Sequence, residues 1–236
     1  MTKITPDNIN QAIQTYWGMR AEGFSLSNND EFADPDNPYR QLLQRKLGLN
    51  HSGQKALDVG CGPGFLAIEL AKLGYKSTGI DSSEPMLVRA RKNARGLVER
   101  FLLADALEAP FTDNSFDVIA SRNVVWNLPD PMRAYQTWFR WLKPSGMLII
   151  FDGNHYRYLT DPKKQNASHA QTHKYLGSVD TTIMEAIAKE LPMSSHDRPD
   201  YDIALLKDIG FINIETVVLR KNEEKTEDFA IFCVKP

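Results

Sequence analysis

The sequence is organised around residues 55–70, which read KALDVGCGPGFLAIEL. The stretch opens with a short apolar run, interrupted only by Asp58, that is typical of a buried parallel strand. From Phe65 onward, apolar residues recur at helical spacing. Between strand and helix stand three residues that can adopt positive φ and leave no Cβ in the way of a ligand, namely Gly60, Gly62 and Gly64. The stretch therefore predicts a strand, a glycine turn and a helix whose first N–H groups face a ligand.

A glycine turn after a strand also occurs in dinucleotide sites, but the spacing here differs. The dinucleotide pattern Gly-x-Gly-x-x-Gly, or with Ala last, keeps its final residue small so that helix and sheet pack closely. Counted from Gly60, that position holds Phe65, which is too large. Counted from Gly62, it holds Ala67, but the turn then begins late and contains a proline. Asp81 stands about twenty residues beyond the turn, where an acidic side chain can bind a ribose. A ribose ligand without a regular pyrophosphate turn indicates a nucleoside cofactor.

The motif LDVGCGPG, followed by Asp81, resembles the first motifs of the class I S-adenosylmethionine-dependent methyltransferases. Later segments resemble the same family: a third strand ending in DA, the phrase APFTDNSFDVIA, and LKPSGMLII before a fifth strand. The resemblance covers residues 50–153 by motif and 200–236 by the order of elements. It implies S-adenosylmethionine as the cofactor, with contacts in the glycine turn from Asp58, Gly60, Cys61 and Gly62.

In this family, the acidic residue at the position of Asp81 binds both ribose hydroxyls, because a carboxylate accepts two hydrogen bonds at once. Ser82 stands beside it in the predicted cofactor site; the alternative is that Asp81 only caps the next helix. Met86 is placed either beside the adenine or in the core of that helix. Asp105 and Ala106 match the position that binds the adenine amine and ring, and an ordinary loop is the alternative.

The segment SRNVVWNLPDP follows a fourth strand, predicted over residues 116–120. In an open α/β sheet, the carboxyl end of such a strand faces the ligand. Arg122 and Asn123 are therefore predicted to reach the amino-acid end of the cofactor. Trp126 is predicted in the acceptor pocket, where an aromatic face can hold a sulfonium, and buried packing is the alternative.

Residues 1–50 are predicted to form an N-terminal helical cap. Helices are expected over residues 8–20 and 39–47, the second ending at Gly48, with an irregular linker over residues 25–40 that is rich in Asn, Asp and Pro.

The segment YWGMRAEGF of the first helix resembles an N-terminal helix that many small-molecule methyltransferases have over the cofactor mouth. Tyr16 is placed either in the acceptor pocket or in packing against the sheet. Arg20 is predicted either to meet the methionine carboxylate of the cofactor or to form a surface ion pair.

Residues 154–200 are aromatic, basic and rich in histidine, and we predict that they form a lid over the substrate site. His155, Tyr156 and Tyr158 closely follow the fifth strand and are predicted to touch the substrate. His155 is also the candidate general base, because histidine titrates near neutrality, and shaping the pocket is its alternative role.

Composition fits a single domain over residues 1–236, with 42% apolar and 25% charged residues. The net charge of −2 gives no electrostatic reason to expect a nucleic-acid partner. No apolar run approaches the roughly 18 residues that a membrane helix needs, and the first residues lack the apolar core of a signal peptide. Two cysteines, Cys61 and Cys233, predict no disulfide framework and a cytoplasmic location. His169 and His173 have i, i+4 spacing without an accompanying carboxylate or cysteine, so no metal site is predicted.

The order of the predicted elements gives an α/β fold. We expect a Rossmann-like seven-stranded sheet, mostly parallel, with an antiparallel last strand and helices on both faces. The tail supplies a helix over residues 201–208 and two antiparallel strands. The last strand, within EDFAIFCVKP, carries apolar residues on both faces, which predicts cover on both sides.

These observations predict methyl transfer from S-adenosylmethionine to a small-molecule acceptor by in-line displacement, in which the protein mainly supplies proximity and orientation. A monomer or homodimer without nucleic-acid or membrane partners is expected. Three alternatives stay open: a nicotinamide-dependent oxidoreductase, a methyltransferase acting on nucleic acid or protein, and a non-catalytic cofactor-binding module. Phe65 disfavours the first. The net charge and the absence of an Asn/Asp-Pro-Pro-Tyr/Phe segment after the fourth strand disfavour the second.

Overall fold

The computed structural model describes residues 5, 8–160, 174–222 and 225–236. Strands in these parts are β1 (Lys55–Val59), β2 (Lys76–Asp81), β3 (Arg100–Leu103), β4 (Phe116–Arg122), β5 (Leu142–Gly153), β6 (Ile212–Asn222) and β7 (Lys225–Val234). The α-helices are α1 (Ile9–Ala33), α2 (Pro38–Leu47), α3 (Phe65–Lys72), α4 (Glu84–Ala94), α5 (Pro131–Trp141), α6 (Thr182–Ala188) and α7 (Asp200–Ile209). No helix within these described ranges combines the length and the apolar character needed to cross a membrane.

The seven strands form one sheet in the order β3-β2-β1-β4-β5-β7-β6. Strand β7 runs antiparallel to both β5 and β6, and the other neighbouring strands pair in parallel. This arrangement confirms the predicted Rossmann-like α/β class. The chain moves outward from β1 to β3 and then returns to β4 on the other side of β1. This reversal places a crevice at the carboxyl ends of β1 and β4.

Strand β7 is buried on both faces, as its sequence predicts. Phe229, Ile231 and Cys233 belong to the larger core cluster, which also contains side chains of α1, α5, α6 and α7. Ala230 and Phe232 face the opposite way, into a cluster with side chains of α2 and α3. The sheet therefore has helices on both faces.

Helix α1 is longer than the sequence predicts. The prediction of an irregular linker is wrong for residues 25–33, which continue the helix to Ala33. Buried contacts explain the difference: Asn28 is 1% exposed, and the ring of Phe32 stacks on that of Phe65 at 5.2 Å. Tertiary packing here outweighs the weak helix propensity of Asn, Asp and Ser. The helix ends just before Pro35, which disfavours helical backbone in the residue preceding it.

Most other predicted boundaries agree with the structure to within a few residues. Helix α2 ends at Gly48, whose φ is 79°. Strand β5 is longer than predicted, because it begins at Leu142 and includes residues 144–146, which were predicted to form a turn. Its register against β4 is irregular between Phe116 and Val118.

A buried ion network joins the end of β5 to α7. The Arg198 guanidinium donates to both carboxylate oxygens of Asp202, from Nε at 2.8 Å and Nη2 at 2.7 Å, and to Asp152 Oδ2 at 3.1 Å. The Tyr135 hydroxyl donates to Asp202 Oδ1 at 2.5 Å. Burial raises the pKa of Asp152, but Arg198 and His155 outweigh it and hold that pKa below its ordinary value. The network attaches the end of the predicted lid segment to the sheet. The histidine pair His169 and His173 lies outside the described residues.

We expect Arg198→Met to lower the free energy of unfolding by about 3–5 kcal/mol, because it leaves two buried carboxylates without a cation. Urea denaturation at neutral pH measures this change. Arg133 is the control, since it pairs with Glu108 at the surface, where water screens the charges. Arg133→Met should therefore have a much smaller effect. Equal effects of the two substitutions would show that the buried network does not stabilise the fold.

Candidate active site

A cavity of about 570 Å³ opens at the carboxyl ends of β1, β2 and β4. Eleven of the predicted cofactor residues line it: Asp58, Gly60, Cys61, Gly62, Asp81, Ser82, Met86, Asp105, Ala106, Arg122 and Asn123. Helix α1 covers the opposite side with Asn10, Ile13, Gln14, Trp17 and Phe24. The sheet edge and the N-terminal helix therefore enclose one space between them.

The glycine turn brings backbone to the cavity wall. Gly60 has a φ of 64°, and a Cβ built on it would lie 2.4 Å from Val124 Cγ2, so only glycine fits there. The N–H of Cys61 donates to the carbonyl of Ile80 at 2.8 Å and fixes the turn to β2. Gly64, with a φ of 94°, directly precedes α3. The turn thus has a fixed shape and an open inner surface.

Asp58 is a buried carboxyl group at the end of β1. It is 1% exposed, and its Oδ2 accepts the N–H of Ala67 at 2.8 Å, which joins β1 to α3. Burial raises the pKa of Asp58 to about 7, since the hydrogen bond from Ala67 and the charge of Arg122 compensate only in part. The site therefore holds an acid that a nearby cation or hydrogen-bond donor would return to its charged form.

Asp81 connects the glycine turn to α4. Its Oδ2 accepts the N–H of Gly62 at 2.9 Å, and its Oδ1 accepts the N–H of Ser83 at 2.8 Å. The N-cap of α4 is Ser83, so Asp81 does not cap the helix but accepts the N–H of the residue before it, and the same carboxylate lines the cavity. Burial raises the pKa of Asp81 to about 6. Because each carboxylate oxygen can accept more than one hydrogen bond, Asp81 can still bind a pair of hydroxyls.

The next part of the wall comes from α4 and the loop after β3. Met86 is 3% exposed, so it is both a cavity residue and part of the helix core. Asp105 is exposed, and its Oδ1 accepts the N–H of Leu107 at 2.7 Å. The carbonyl of Ala106 accepts the indole N–H of Trp138 at 2.9 Å. These contacts hold the loop in place against α5.

Arg122 lines the cavity, but its guanidinium is engaged by α1. Nη1 and Nη2 donate to the two carboxylate oxygens of Glu31 at 2.8 and 3.0 Å, and Nη2 also donates to Asn28 at 3.2 Å. The guanidinium lies over the rings of Tyr39 and Phe65, with its Cζ 4.9 and 4.5 Å from their centroids. Arg122 therefore joins the N-terminal helix to the sheet, and its contact with the cofactor stays a prediction.

His155 does not line the cavity. Its Nε2 lies 3.1 Å from Asn123 Oδ1 and 3.5 Å from Asp152 Oδ1. Both neighbouring oxygens are acceptors, so these contacts favour the tautomer with its N–H at Nε2 and do not favour Nε2 as the atom that takes a proton from a substrate. Asn123 itself has a φ of 57°, which is uncommon for a residue other than glycine and costs free energy. The geometry favours a positioning role for His155, which holds the Asn123 amide at the cavity wall.

Five other predicted site residues lie behind the wall or beside it. Trp126 is 5% exposed, and its ring stacks on Tyr156 with centroids 5.0 Å apart. Tyr16 is buried as well, and the Tyr158 hydroxyl donates to Glu185 at 2.7 Å. Arg20 is 3% exposed and donates to the carbonyl of Tyr175 at 3.4 Å. These contacts agree with the alternative in which the side chains pack in the interior. The surface ion pair considered for Arg20 is wrong, because the side chain of Arg20 is buried.

Asn127, Leu128 and Pro129 line the cavity but have no site role predicted from the sequence. Trp17 and Phe24 also line it, and both belong to the segment YWGMRAEGF that was predicted over the cofactor mouth. The predicted helix ended at residue 20, whereas α1 continues to Ala33 and therefore includes Phe24. Asn127 is part of SRNVVWNLPDP, whose 3₁₀ turn at residues 125–127 the apolar pattern does not reveal.

Comparison with known proteins agrees with this architecture. Residues 57–150 match the family described as "Methyltransferase domain". Phosphoethanolamine N-methyltransferase 1 of Arabidopsis thaliana is 34% identical over 181 residues, which cover 75% of this chain and 31% of the relative. Demethylmenaquinone methyltransferase of Staphylococcus aureus (strain MRSA252) is 38% identical over 118 residues, 48% of each chain.

Solved structures give the same fold. Phosphoethanolamine N-methyltransferase 2 of Haemonchus contortus, in complex with S-adenosyl-L-methionine, superposes with a TM-score of 0.59 and 19% identity, over 84% of this chain and 52% of that one. A SAM-dependent methyltransferase from Aquifex aeolicus superposes with a TM-score of 0.56 and 20% identity, over 89% and 98% of the two chains.

Residues 57–150 thus match the methyltransferase domain, and the chain has the fold of the solved methyltransferases. The cofactor in the Haemonchus contortus structure is S-adenosyl-L-methionine. The present chain spans about a third of the length of the plant phosphoethanolamine relatives and about half of the staphylococcal one.

The residues present fit this cofactor. Asp58 and Asp81 are carboxyl groups with raised pKa values on the cavity wall. A hydrogen-bond donor or a positive charge from a ligand would stabilise the ionised form of each. S-adenosylmethionine carries ribose hydroxyls, an ammonium and a sulfonium. Gly60 leaves its backbone open to the cavity, as close approach to a ligand requires.

We expect Asp81→Asn to weaken binding of S-adenosylmethionine by about tenfold or more, because hydrogen bonds to a charged group contribute about 1.5–3 kcal/mol. Calorimetric titration measures the affinity, and a single cooperative unfolding transition verifies the fold. Asp208→Asn, on the exposed side of α7, is the matched control and should leave affinity unchanged. Wild-type affinity in Asp81→Asn would remove Asp81 from the ribose role.

The same carboxyl groups predict a pH dependence. Their pKa values, about 7 for Asp58 and about 6 for Asp81, exceed that of an unfolded Asp, about 4. Their contribution to stability is therefore present at low pH and is lost as pH rises through the folded values. Cofactor affinity should rise from about pH 5.5 to about pH 8, because the ionised carboxylate is the better acceptor. Asp81→Asn should reduce this increase of affinity with pH. An equally steep increase in the variant would show that groups other than Asp81 cause the pH dependence.

Proposed function

We propose that this methyltransferase transfers the methyl group of S-adenosylmethionine to a small-molecule acceptor by in-line displacement. The observation that carries the proposal is the continuity of the cavity. One space of about 570 Å³ runs from the carboxyl groups of Asp81 and Asp105 to Trp17 and Asn127. This volume lies within the usual range for small-molecule sites, about 300–1,000 Å³. Cofactor and acceptor can therefore meet without solvent between them.

The protein's own contribution is mainly binding and orientation. When bound, S-adenosylmethionine supplies a methyl group already activated by its sulfonium. Asp58, Asp81 and the turn at Gly60 are proposed to hold the cofactor, while Asn123 and Asn127 face the acceptor side. Fixing two reactants in a reactive geometry supplies a large part of a rate enhancement. Such a mechanism places no requirement on His155 as a base.

The relatives leave the acceptor open, because their names refer to chemically different molecules, phosphoethanolamine and demethylmenaquinone. The nicotinamide alternative is disfavoured by the surroundings of Phe65. This side chain is 1% exposed and packs against the rings of Phe32 and Tyr39, at a position where a dinucleotide turn needs a small residue.

Calorimetric titration with S-adenosylmethionine, its demethylated product and NADH tests the proposal. We expect saturable binding of the first two and none of NADH. Transfer of a tritiated methyl group to a mixture of small molecules then tests turnover. Binding of NADH alone would overturn the proposal. Cofactor binding without transfer to any acceptor in the mixture would favour the non-catalytic module.

We expect His155→Ala to lower kcat more than it raises the KM for S-adenosylmethionine, because Asn123 loses the group that orients its amide. His155→Gln, which can still donate to Asn123, should restore part of the rate. The steady-state kinetics of both variants, measured across pH, separate the two roles of His155. If the loss of activity follows one titrating group and His155→Gln gives no rescue, His155 is a base after all.

A further inference from the structure

The cavity contains a buried amide whose oxygen has no hydrogen-bond donor among the described residues. Asn127 ends the 3₁₀ turn at residues 125–127 and is 7% exposed. It lines the cavity, and its Oδ1 is buried without a hydrogen-bond donor among the described residues. Its backbone N–H, by contrast, donates to the carbonyl of Val124 at 2.9 Å. A buried carbonyl oxygen without a hydrogen-bond donor costs free energy. A ligand that supplies an N–H or O–H to this oxygen would remove that cost.

The walls around Asn127 are largely apolar and aromatic. Trp17 and Phe24 of α1 line the same cavity, with their rings edge to face and centroids 5.3 Å apart. Leu128 and Pro129 continue the wall directly after Asn127. The polar groups that α1 adds are neutral carboxamides, such as Gln14. The surroundings therefore suit a flat apolar body with one hydrogen-bonding group.

We propose that Asn127 recognises the methyl acceptor, and that the acceptor is a neutral nitrogen nucleophile with at least one N–H on a flat apolar body. This inference rests on the proposed function and deepens it. The amide oxygen of Asn127 accepts the N–H, while Trp17 and Phe24 pack against the body. Asn123, whose amide His155 contacts, lines the same cavity.

The choice of nitrogen follows from the chemistry of a carboxamide. An amide oxygen accepts a hydrogen bond but does not remove a proton at neutral pH. The acceptor must therefore attack without first losing its N–H proton, as a neutral amine does with its lone pair. The N–CH₃ bond forms as the S–CH₃ bond breaks, the bonding pair stays on sulfur, and the nitrogen later loses its extra proton to water. The N–H becomes more acidic as positive charge develops, so its hydrogen bond to Asn127 strengthens in the transition state.

Two probes of matching shape test this site: aniline, which has two N–H groups, and N,N-dimethylaniline, which has none. Their affinities are measured by ligand-observed NMR at neutral pH, with the demethylated cofactor product bound to the full chain. We expect the wild type to prefer aniline by roughly fivefold or more, the effect of one buried hydrogen bond. Asn127→Ala should reduce the preference to within about twofold, while the affinity for the cofactor product stays unchanged. Gln136→Ala, which removes an exposed amide on α5, is the control and should preserve the preference.

Trp17→Ala should weaken the binding of both probes by a similar factor. It removes the aromatic wall against which the ring of either probe packs, and it leaves Asn127, the partner of the N–H, in place. Equal binding of the two probes to the wild type, or an aniline preference that survives in Asn127→Ala, would overturn the assignment of Asn127. Competition by phosphoethanolamine against a weaker aniline would overturn the neutral, apolar class of acceptor. If the wild type does not bind the cofactor product, the proposed function fails, and the acceptor site fails with it.

Discussion

The ion pair between Glu31 and Arg122 is the interaction on which the site depends. Arg122 ends β4 at the edge of the sheet where ligands bind, and Glu31 lies near the end of α1. The pair is largely shielded from water, and the guanidinium lies over the rings of Tyr39 and Phe65, so its charge interactions are weakly screened. By joining α1 to the sheet, it turns an open crevice into an enclosed cavity. The position of Trp17 and Phe24 over the acceptor side follows from this attachment.

Sequence patterns predicted the parts of this protein that local rules determine. The glycine turn, Asp81 and the buried strands follow from backbone freedom, strand ends and apolar periodicity, all of which are local. The predicted cofactor residues, apart from Arg20, therefore line one cavity in the structure. The two-sided burial of β7 was also predicted, because its apolar residues occupy both faces of the strand.

The rest of the cavity wall was harder to predict, because it depends on contacts between distant segments. Residues 25–33 look like a linker on composition and become helical through the burial of Asn28 and Phe32. Trp126 and Tyr156 were placed in the pocket because aromatic residues follow strand ends there. In the structure they stack on each other behind the wall, and Asn127 lines the cavity instead. A single 3₁₀ turn decides whether Trp126 or Asn127 faces the cavity. The spacing of apolar residues in the sequence does not predict that turn.

The cavity also has an unbalanced charge. Arg122 is neutralised by Glu31, whereas Asp58, Asp81 and Asp105 line the wall without a paired cation in the described part of the chain. The methyl donor carries a positive sulfur, and its product does not. Once ionised, these carboxylates attract the sulfonium of the donor but not the thioether of the product, whereas the ribose hydroxyls and the ammonium are common to both molecules. The preference of the wall for donor over product should therefore increase as pH rises through the pKa values of Asp58 and Asp81.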